Sequence, residues 1–247
     1  MPFTPAHPAI LFPFKWVNAK YYSLTALVIG CIVPDFEYFI FLSSGAWISH
    51  TLRGIFTFDF PLCFILGFVW HSFLKITFMD LFPNFRFKSK NVLKNEGRIS
   101  SPQQFVVFFT SALIGIISHL VWDSFSHSNG YMAHRIPILL EEMNFFGHPV
   151  RWCYILWYVS TIVGLLVVMK QVIDIKWSLS QFIKHQKERR SFWLIVFLIT
   201  LTIGIIRVSL GLSNNLPRHL IIIFLGSSIY AFVIAAYLRS KKLKVTS

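Results

Sequence analysis

The chain has 247 residues, of which 55% are hydrophobic and 13% are charged, and its formal net charge is +13. A soluble domain usually has about 25% charged residues, so this composition excludes an ordinary soluble domain and indicates an integral membrane protein. In that class an excess of lysine and arginine indicates membrane topology rather than nucleic-acid binding, and we expect no nucleic-acid partner.

The first 43 residues predict a helical hairpin. Prolines interrupt the first arm, which is expected to be helical from about residue 8 to residue 17. The second arm is the apolar run SLTALVIGCIV, which leads into Pro34, Asp35, Phe36 and Glu37. Each arm is roughly 15–18 Å long, too short to cross a bilayer alone. We therefore expect a broken or re-entrant hairpin with His7 and Asp35 at the same end.

Six apolar segments are each close to the roughly 20 residues that a membrane span needs. They are residues 23–43, 59–81, 105–127, 152–173, 192–212 and 218–238. The predicted fold class is all-α, a polytopic membrane helical bundle of about six spans. Residues 1–165 carry nearly all of the candidate chemistry and form the predicted metal-site domain. Residues 166–247 are predicted to be C-terminal spans that act as scaffold of the same domain.

Positive charge alternates between the connections. Residues 83–104 contain five lysines and arginines, residues 174–191 contain five, and the C-terminal tail contains four. The remaining connections, 44–58, 128–151 and 213–217, contain three together. Because basic connections mark the cytoplasmic side, we expect a multi-pass cell-membrane protein with its C-terminus in the cytoplasm.

The most informative motif is the run ISHLVWDSFSH, in which His119, Asp123 and His127 are spaced four residues apart. On a helix that spacing turns each side chain by only about 40°, so the three are predicted to share one face. Ionisable groups at membrane depth are costly and mark functional sites. Imidazole and carboxylate are also the ligands that zinc, manganese and iron prefer. The motif therefore predicts a metal site within the third span.

A metal site on this face needs further ligands. His119 and His127 are separated by about 12 Å along the helix axis, which is too far for comfortable sharing of one ion. The face thus favours two ions with Asp123 between them, or one ion with His127 in an outer position. The best-placed ligands from other segments are His7, Asp35 and His50, followed by His71 and Glu37. Asp35 and Glu37 are also candidate general bases for hydrolysis.

A structural interpretation competes with each of these assignments. His119 and Asp123 form a hydrogen-bonded pair between helices in that case, Asp35 caps a helical turn, and His71 is a packing residue. The protein would then be a small transporter, a proton or ion relay, or a scaffold. Stoichiometric bound metal distinguishes a hydrolase from these alternatives.

Four stretches of the chain resemble a family of uncharacterised bacterial integral membrane proteins: MPFTPAHPA, ALVIGCIVPDFEYF, SHTLRGIFTFDFPL and GIISHLVWDSFSHSNG. That family is similar to the membrane-bound metal-dependent hydrolases of YdjM type, which are distant relatives of zinc-dependent phospholipase C. The resemblance covers about residues 1–165. It implies a divalent metal, zinc above all, and hydrolysis of a phosphoester or lipid-like substrate drawn from membrane lipid. The metal ligands that it implies are His7, Asp35, His50, His119 and Asp123.

Overall fold

A computed structural model describes most of the chain, namely residues 4–45, 47–81, 85–87, 99, 101–175, 186–212 and 215–246. Much of the two basic connections, 83–104 and 174–191, lies outside the described residues. The charge pattern of those connections is therefore a property of the sequence alone.

The N-terminal segment folds back on itself. Its first arm is a 3₁₀ helix, Thr4–Trp16, because three prolines in this stretch lack the N–H donors that a regular α-helix needs. The second arm comprises α1 (Leu24–Ile32), a 3₁₀ turn that begins at Val33, and α2 (Phe36–Phe41). The ring of Phe14 lies 5.7 Å from that of Tyr22 at one end of the hairpin.

The second arm extends beyond the apolar run that precedes Pro34. Pro34 lies at the start of a 3₁₀ turn, where its missing N–H costs nothing, so the helix continues beyond it. The helical stretch Leu24–Phe41 has 18 residues and is apolar enough to be a membrane span, which confirms the span predicted at residues 23–43. The shorter length expected for this arm covered only the run before Pro34.

Within the described residues, five further helical segments are long and apolar enough to cross a membrane, which confirms the predicted all-α bundle of about six spans. The helix α3 covers Leu52–Leu81 and contains two π-helical segments, Ile55–Asp59 and Trp70–Leu74. The other helices are α4 (Pro102–Ser126), the short α5 (Tyr131–Arg135), α6 (Trp152–Val172), α7 (Gln186–Ser209) and α8 (Leu216–Thr246).

Two short antiparallel strand pairs accompany the helices. The strand β1 (Phe85–Phe87) pairs with β4 (Ile173–Ile175), and β2 (Glu142–Phe145) pairs with β3 (His148–Arg151). The β2–β3 turn consists of Phe146 and Gly147, both with positive φ, as a tight two-residue hairpin turn requires. This hairpin lies in the connection between α4 and α6, for which the sequence predicted only an outward loop.

Helices α1 and α4 approach each other closely at small residues. A Cβ atom on Gly30 would collide with the carbonyl oxygen of Ala112, and one on Gly115 would lie 2.5 Å from the carbonyl oxygen of Leu27. Small residues allow such backbone contact between helices in membranes. The contact sets the C-terminal end of α1 beside the second half of α4, where His119 lies.

The two C-terminal spans hold α2 in place. The carbonyl oxygen of Leu42, a residue with positive φ at the end of α2, accepts from Arg207 Nε at 3.1 Å and lies 3.0 Å from His219 Nε2. The hydroxyl of Tyr230 donates to the carbonyl oxygen of Ile40 at 2.9 Å. These contacts join α2 to α7 and α8, and the scaffold role of residues 166–247 stays a prediction.

Candidate metal centre

Four ligand-type side chains converge at one end of the helical bundle. Asp35, His50, His119 and Asp123 each offer one ligand atom, and these four atoms lie within 4.8 Å of one another. Asp35 comes from the turn between α1 and α2, His50 from the segment before α3, and the other two from α4. All but the partly exposed His50 are buried. We call this group the ligand cluster.

The distances within the ligand cluster suit a single ion. His119 Nε2 lies 3.4 Å from Asp35 Oδ1 and 3.4 Å from Asp123 Oδ2. His50 Nε2 lies 3.8 Å and 3.7 Å from the same two carboxylate oxygens. Two ligands that share one ion at about 2.0–2.2 Å are at most roughly 4.4 Å apart. Of the two arrangements left open by the sequence, these distances favour the one-ion site.

The close contact between α1 and α4 orients the ring of His119. Its Nδ1–H donates to the carbonyl oxygen of Cys31, with 2.7 Å between the two atoms. This hydrogen bond leaves Nε2 as the acceptor nitrogen and directs it at the two carboxylates. Metal-binding histidines typically donate their other ring N–H in this way, which fixes both tautomer and orientation.

The segment that carries His50 is organised by Glu37. The Glu37 carboxylate accepts backbone N–H groups from Trp47 at 2.7 Å, Ile48 at 3.1 Å and Ser49 at 2.7 Å. The hydroxyl of Ser49 lies 2.9 Å from His50 Nδ1, so the folded segment sets the direction of the imidazole. Glu37 is not part of the ligand cluster. Its contacts are those of a positioning residue, although the sequence predicted a general base.

Asp35 uses its two carboxylate oxygens differently. Its Oδ2 accepts a hydrogen bond from the Thr4 hydroxyl at 2.6 Å, which ties the start of the hairpin to its second arm. Its Oδ1 faces His50 and His119. The side chain makes no capping hydrogen bond to α2, so the capping explanation does not account for this aspartate.

His7 lies directly beside the ligand cluster. Its ring stacks on that of His119 with 3.9 Å between centroids, and its Nε2 lies 3.6 Å from Asp123 Oδ1. Burial, and then the neighbouring His119, lower the pKa of His7 to about 4. Its imidazole is therefore neutral at physiological pH, the form in which histidine binds metal.

His127 lies at the C-terminal end of α4, beside Asp123. Helix α4 ends at Ser126, and His127, the next residue, has an extended backbone. The His127 Nδ1 lies 2.9 Å from the carbonyl oxygen of Asp123 and 3.9 Å from its Oδ1. Burial lowers the pKa of this imidazole. The position suits the outer role that the sequence left open for His127.

Four buried polar atoms around the cluster have no hydrogen-bond partner among the described residues. They are His7 Nε2, Asp35 Oδ1, His119 Nε2 and Asp123 Oδ1. More than about 90% of buried polar groups in proteins are hydrogen-bonded, so four unsatisfied atoms this close together need an explanation. A divalent cation in the ligand cluster would satisfy Asp35 Oδ1 and His119 Nε2, because imidazole nitrogens and carboxylate oxygens donate electron pairs to it.

His71 and Asp59, both on α3, lie outside the ligand cluster. His71 Nε2 lies 3.1 Å from the Thr25 hydroxyl, which agrees with the packing explanation for that histidine. Asp59, which the sequence analysis missed, is fully buried, and neither of its carboxylate oxygens is hydrogen-bonded within the described part of the chain. The available signal was an acidic residue between two phenylalanines. Asp59 ends a π-helical segment, a feature that often marks functional sites.

Comparisons with known proteins add a family but no activity. No curated protein and no solved structure matches the chain. One family model, described as a domain of unknown function (DUF4184), matches residues 1–238. Since that match covers nearly the whole chain, the protein belongs to the DUF4184 family.

Proposed function

We propose that this membrane protein is a divalent-metal-dependent hydrolase whose substrate is a phosphoester or another lipid-like ester. The observation that carries the proposal is the convergence of four ligand atoms, from Asp35, His50, His119 and Asp123, within 4.8 Å of one another. The resemblance to membrane-bound metal-dependent hydrolases, which rests on the motifs around His7, Asp35 and Asp123, supports the same chemistry.

In this proposal the residues of the ligand cluster bind the ion, and the neighbouring His7 assists them. Asp35, His50, His119 and Asp123 hold the ion, and His7 contributes from the side of Asp123. A divalent ion held by histidines and carboxylates with an open coordination position acts as a Lewis acid and activates water. Zinc is the proposed ion, since histidine together with aspartate is a common zinc ligand set.

Hydrolysis at this site would proceed by attack of water on the ester. The water oxygen bonds to phosphorus, the bond from phosphorus to the ester oxygen breaks, and the alcohol leaves with one proton. Asp35 is the proposed acceptor of the other proton: its Oδ1 atom would release the ion in this step, while His50, His119 and Asp123 keep the ion bound. Thr4 orients this carboxylate by its hydrogen bond to Oδ2.

Metal analysis of detergent-purified protein tests the proposal. We expect about one divalent ion per chain in the wild type and a sharp loss in Asp123→Ala. Changes in residues that merely orient ligands already cost about 10–100-fold in affinity, and removal of a ligand should cost at least as much. His127→Ala should have a smaller effect, and His134→Ala, on exposed α5, is the matched control.

Absence of bound metal would contradict the proposal. If the wild type binds no divalent metal when zinc, manganese or iron is supplied, and Asp123→Ala lowers the melting temperature, His119 and Asp123 are a structural pair. The hydrolase proposal then fails in favour of a scaffold or relay.

A further inference from the structure

An apolar cavity of about 350 Å³ lies beside His7, where the N-terminal 3₁₀ helix packs against α4 and α6. Small-molecule sites usually have about 300–1,000 Å³, so this cavity is large enough for a ligand. Two serines in its lining direct their hydroxyls at their own helices: Ser118 donates to the Gly115 carbonyl, and Ser160 donates to the Trp157 carbonyl. The cavity therefore presents a mainly apolar surface.

The cavity has a buried end and an exposed mouth. Ala6 and His7 are buried, whereas Ile10, Val159 and Val163 are about half exposed. The lining residues of α6 extend from residue 156 to residue 164, which corresponds to about 12 Å of helix. Because α6 is one of the membrane spans, its exposed valines face hydrocarbon, and the mouth opens toward the lipid.

The buried end of the cavity adjoins the ligand cluster. His7 belongs to both, since it lines the cavity and its Nε2 lies 3.6 Å from Asp123 Oδ1. A molecule that enters from the hydrocarbon with its chain in the cavity thus brings its polar end to His7 and the cluster. An elongated amphipathic molecule matches this order of apolar and polar surroundings.

We propose that the cavity binds an acyl chain of a membrane phospholipid and sets the phosphate of that lipid at the ligand cluster. The inference rests on the proposed function and narrows its substrate class to phospholipids. A protein partner does not suit the site, because the half-exposed mouth lies on membrane-spanning helices and so faces hydrocarbon.

Native mass spectrometry of the delipidated full chain, titrated with dioleoyl phosphatidylglycerol in detergent, tests the cavity. Val163→Trp fills the mouth, and we expect it to weaken binding of the first phospholipid at least tenfold. Ile162→Trp places the same ring at the neighbouring, lipid-facing position of α6, outside the cavity lining, and should bind like the wild type. Val159→Phe is the second cavity variant, in case Val163→Trp does not fold.

The outcomes separate the cavity from the metal site. Equal phospholipid binding by the wild type, Val159→Phe and Val163→Trp overturns the cavity proposal, even if all of them retain metal. Tighter binding of palmitate than of phospholipid also overturns it, because the site then selects a free fatty acid. Tenfold weaker phospholipid binding in the cavity variants supports it. This result would support the cavity proposal even if the wild type contained no metal. Only the hydrolase proposal would then fail.

Discussion

At the scale of single residues, the site consists of polar groups buried in an apolar environment, which is unfavourable in free energy. Burial of an unpaired carboxylate is unfavourable, and two of them side by side also repel each other. Asp35 and Asp123 nevertheless lie together, with two imidazoles around them. Stability alone does not explain this arrangement, since apolar residues of the same size would pack without that cost. Binding of a cation, as proposed above, would explain it.

Glu37 permits a test that separates orientation from catalysis. Glu37→Gln keeps the shape of the side chain but replaces one acceptor oxygen with a donor, so at least one of the three backbone N–H groups loses its partner. We expect metal affinity to fall about 10–100-fold, because the segment that carries His50 loosens. Isothermal titration with Zn²⁺ measures the change.

The control for Glu37 is Glu142→Gln, at an exposed glutamate that pairs with Arg151 at 3.3 Å in the β2–β3 hairpin. Exposed ion pairs contribute about 0–1 kcal/mol, so metal affinity should not change. Normal metal affinity in Glu37→Gln with loss of phosphodiester hydrolysis would contradict the positioning role and make Glu37 the general base.

At the scale of elements, the packing of α1 on α4 determines whether the ligand atoms meet. The carbonyl that orients His119 belongs to Cys31, in the last turn of α1. The position of this carbonyl depends on the short distance between the α1 and α4 backbones, which only small residues permit. The hairpin adds Asp35 from the next turn, and the segment before α3 adds His50. The cluster is therefore a product of helix packing rather than of one helix.

Gly115→Ala tests this dependence on close packing. The new methyl group would lie 2.5 Å from the Leu27 carbonyl oxygen and 2.8 Å from the Cys31 nitrogen, both backbone atoms that cannot rotate away. We expect a loss of roughly 1–3 kcal/mol in stability and weaker metal binding, because α1 is displaced from α4. Thermal unfolding in detergent and zinc titration measure the two effects.

Gly204→Ala is the matched control for Gly115→Ala. A methyl group there meets its nearest neighbour, Ile223 Cγ2, at 4.0 Å, an ordinary contact, so stability and metal binding should remain unchanged. Wild-type metal affinity in Gly115→Ala would show that the α1–α4 separation does not control the ligand cluster.

At the scale of the whole molecule, the chain direction of the spans places the ligand cluster. Helix α3 begins next to His50, and α4 ends next to His127, so both have their cluster-side ends on the same side as the β2–β3 connection. The basic connections lie at the opposite ends of these helices. If the basic connections are cytoplasmic, as their charge predicts, we expect the cluster on the outer side of the membrane.

Reporter fusions test that orientation. We expect a fusion after Ser247 to report a cytoplasmic location, and an insertion near Asn129 to report an external one. The reason is that fourteen of the seventeen basic residues counted belong to the tail and to the two connections predicted on the same side of the membrane as the tail. Alkaline phosphatase and green fluorescent protein are each fused at both positions, so that each reporter is the control for the other. An external signal from the C-terminal fusion would invert the topology and move the cluster to the inner side.

The sequence by itself determined the membrane class, the number of spans and the helical face of His119 and Asp123. These depend on local composition and on a period of 3.6 residues, which the chain carries in any context. The same local logic did not predict that α4 ends at Ser126, because the end of a helix depends on backbone hydrogen bonds that the period does not encode. It also missed Asp59, whose burial depends on the packing of α3 against distant segments.

Tertiary structure alone decided which candidates meet. The contacts of His119 with Asp35, and of Glu37 with the His50 segment, join residues far apart in the chain and arise from the folded hairpin and from the glycine contact between α1 and α4. Glu37 and Asp35 look alike in the sequence, as acidic residues two positions apart. They have different partners because helical residues two positions apart project about 200° apart. The Asp35 carboxylate therefore faces the imidazoles of His119 and His50, whereas the Glu37 carboxylate faces the backbone of the segment before α3.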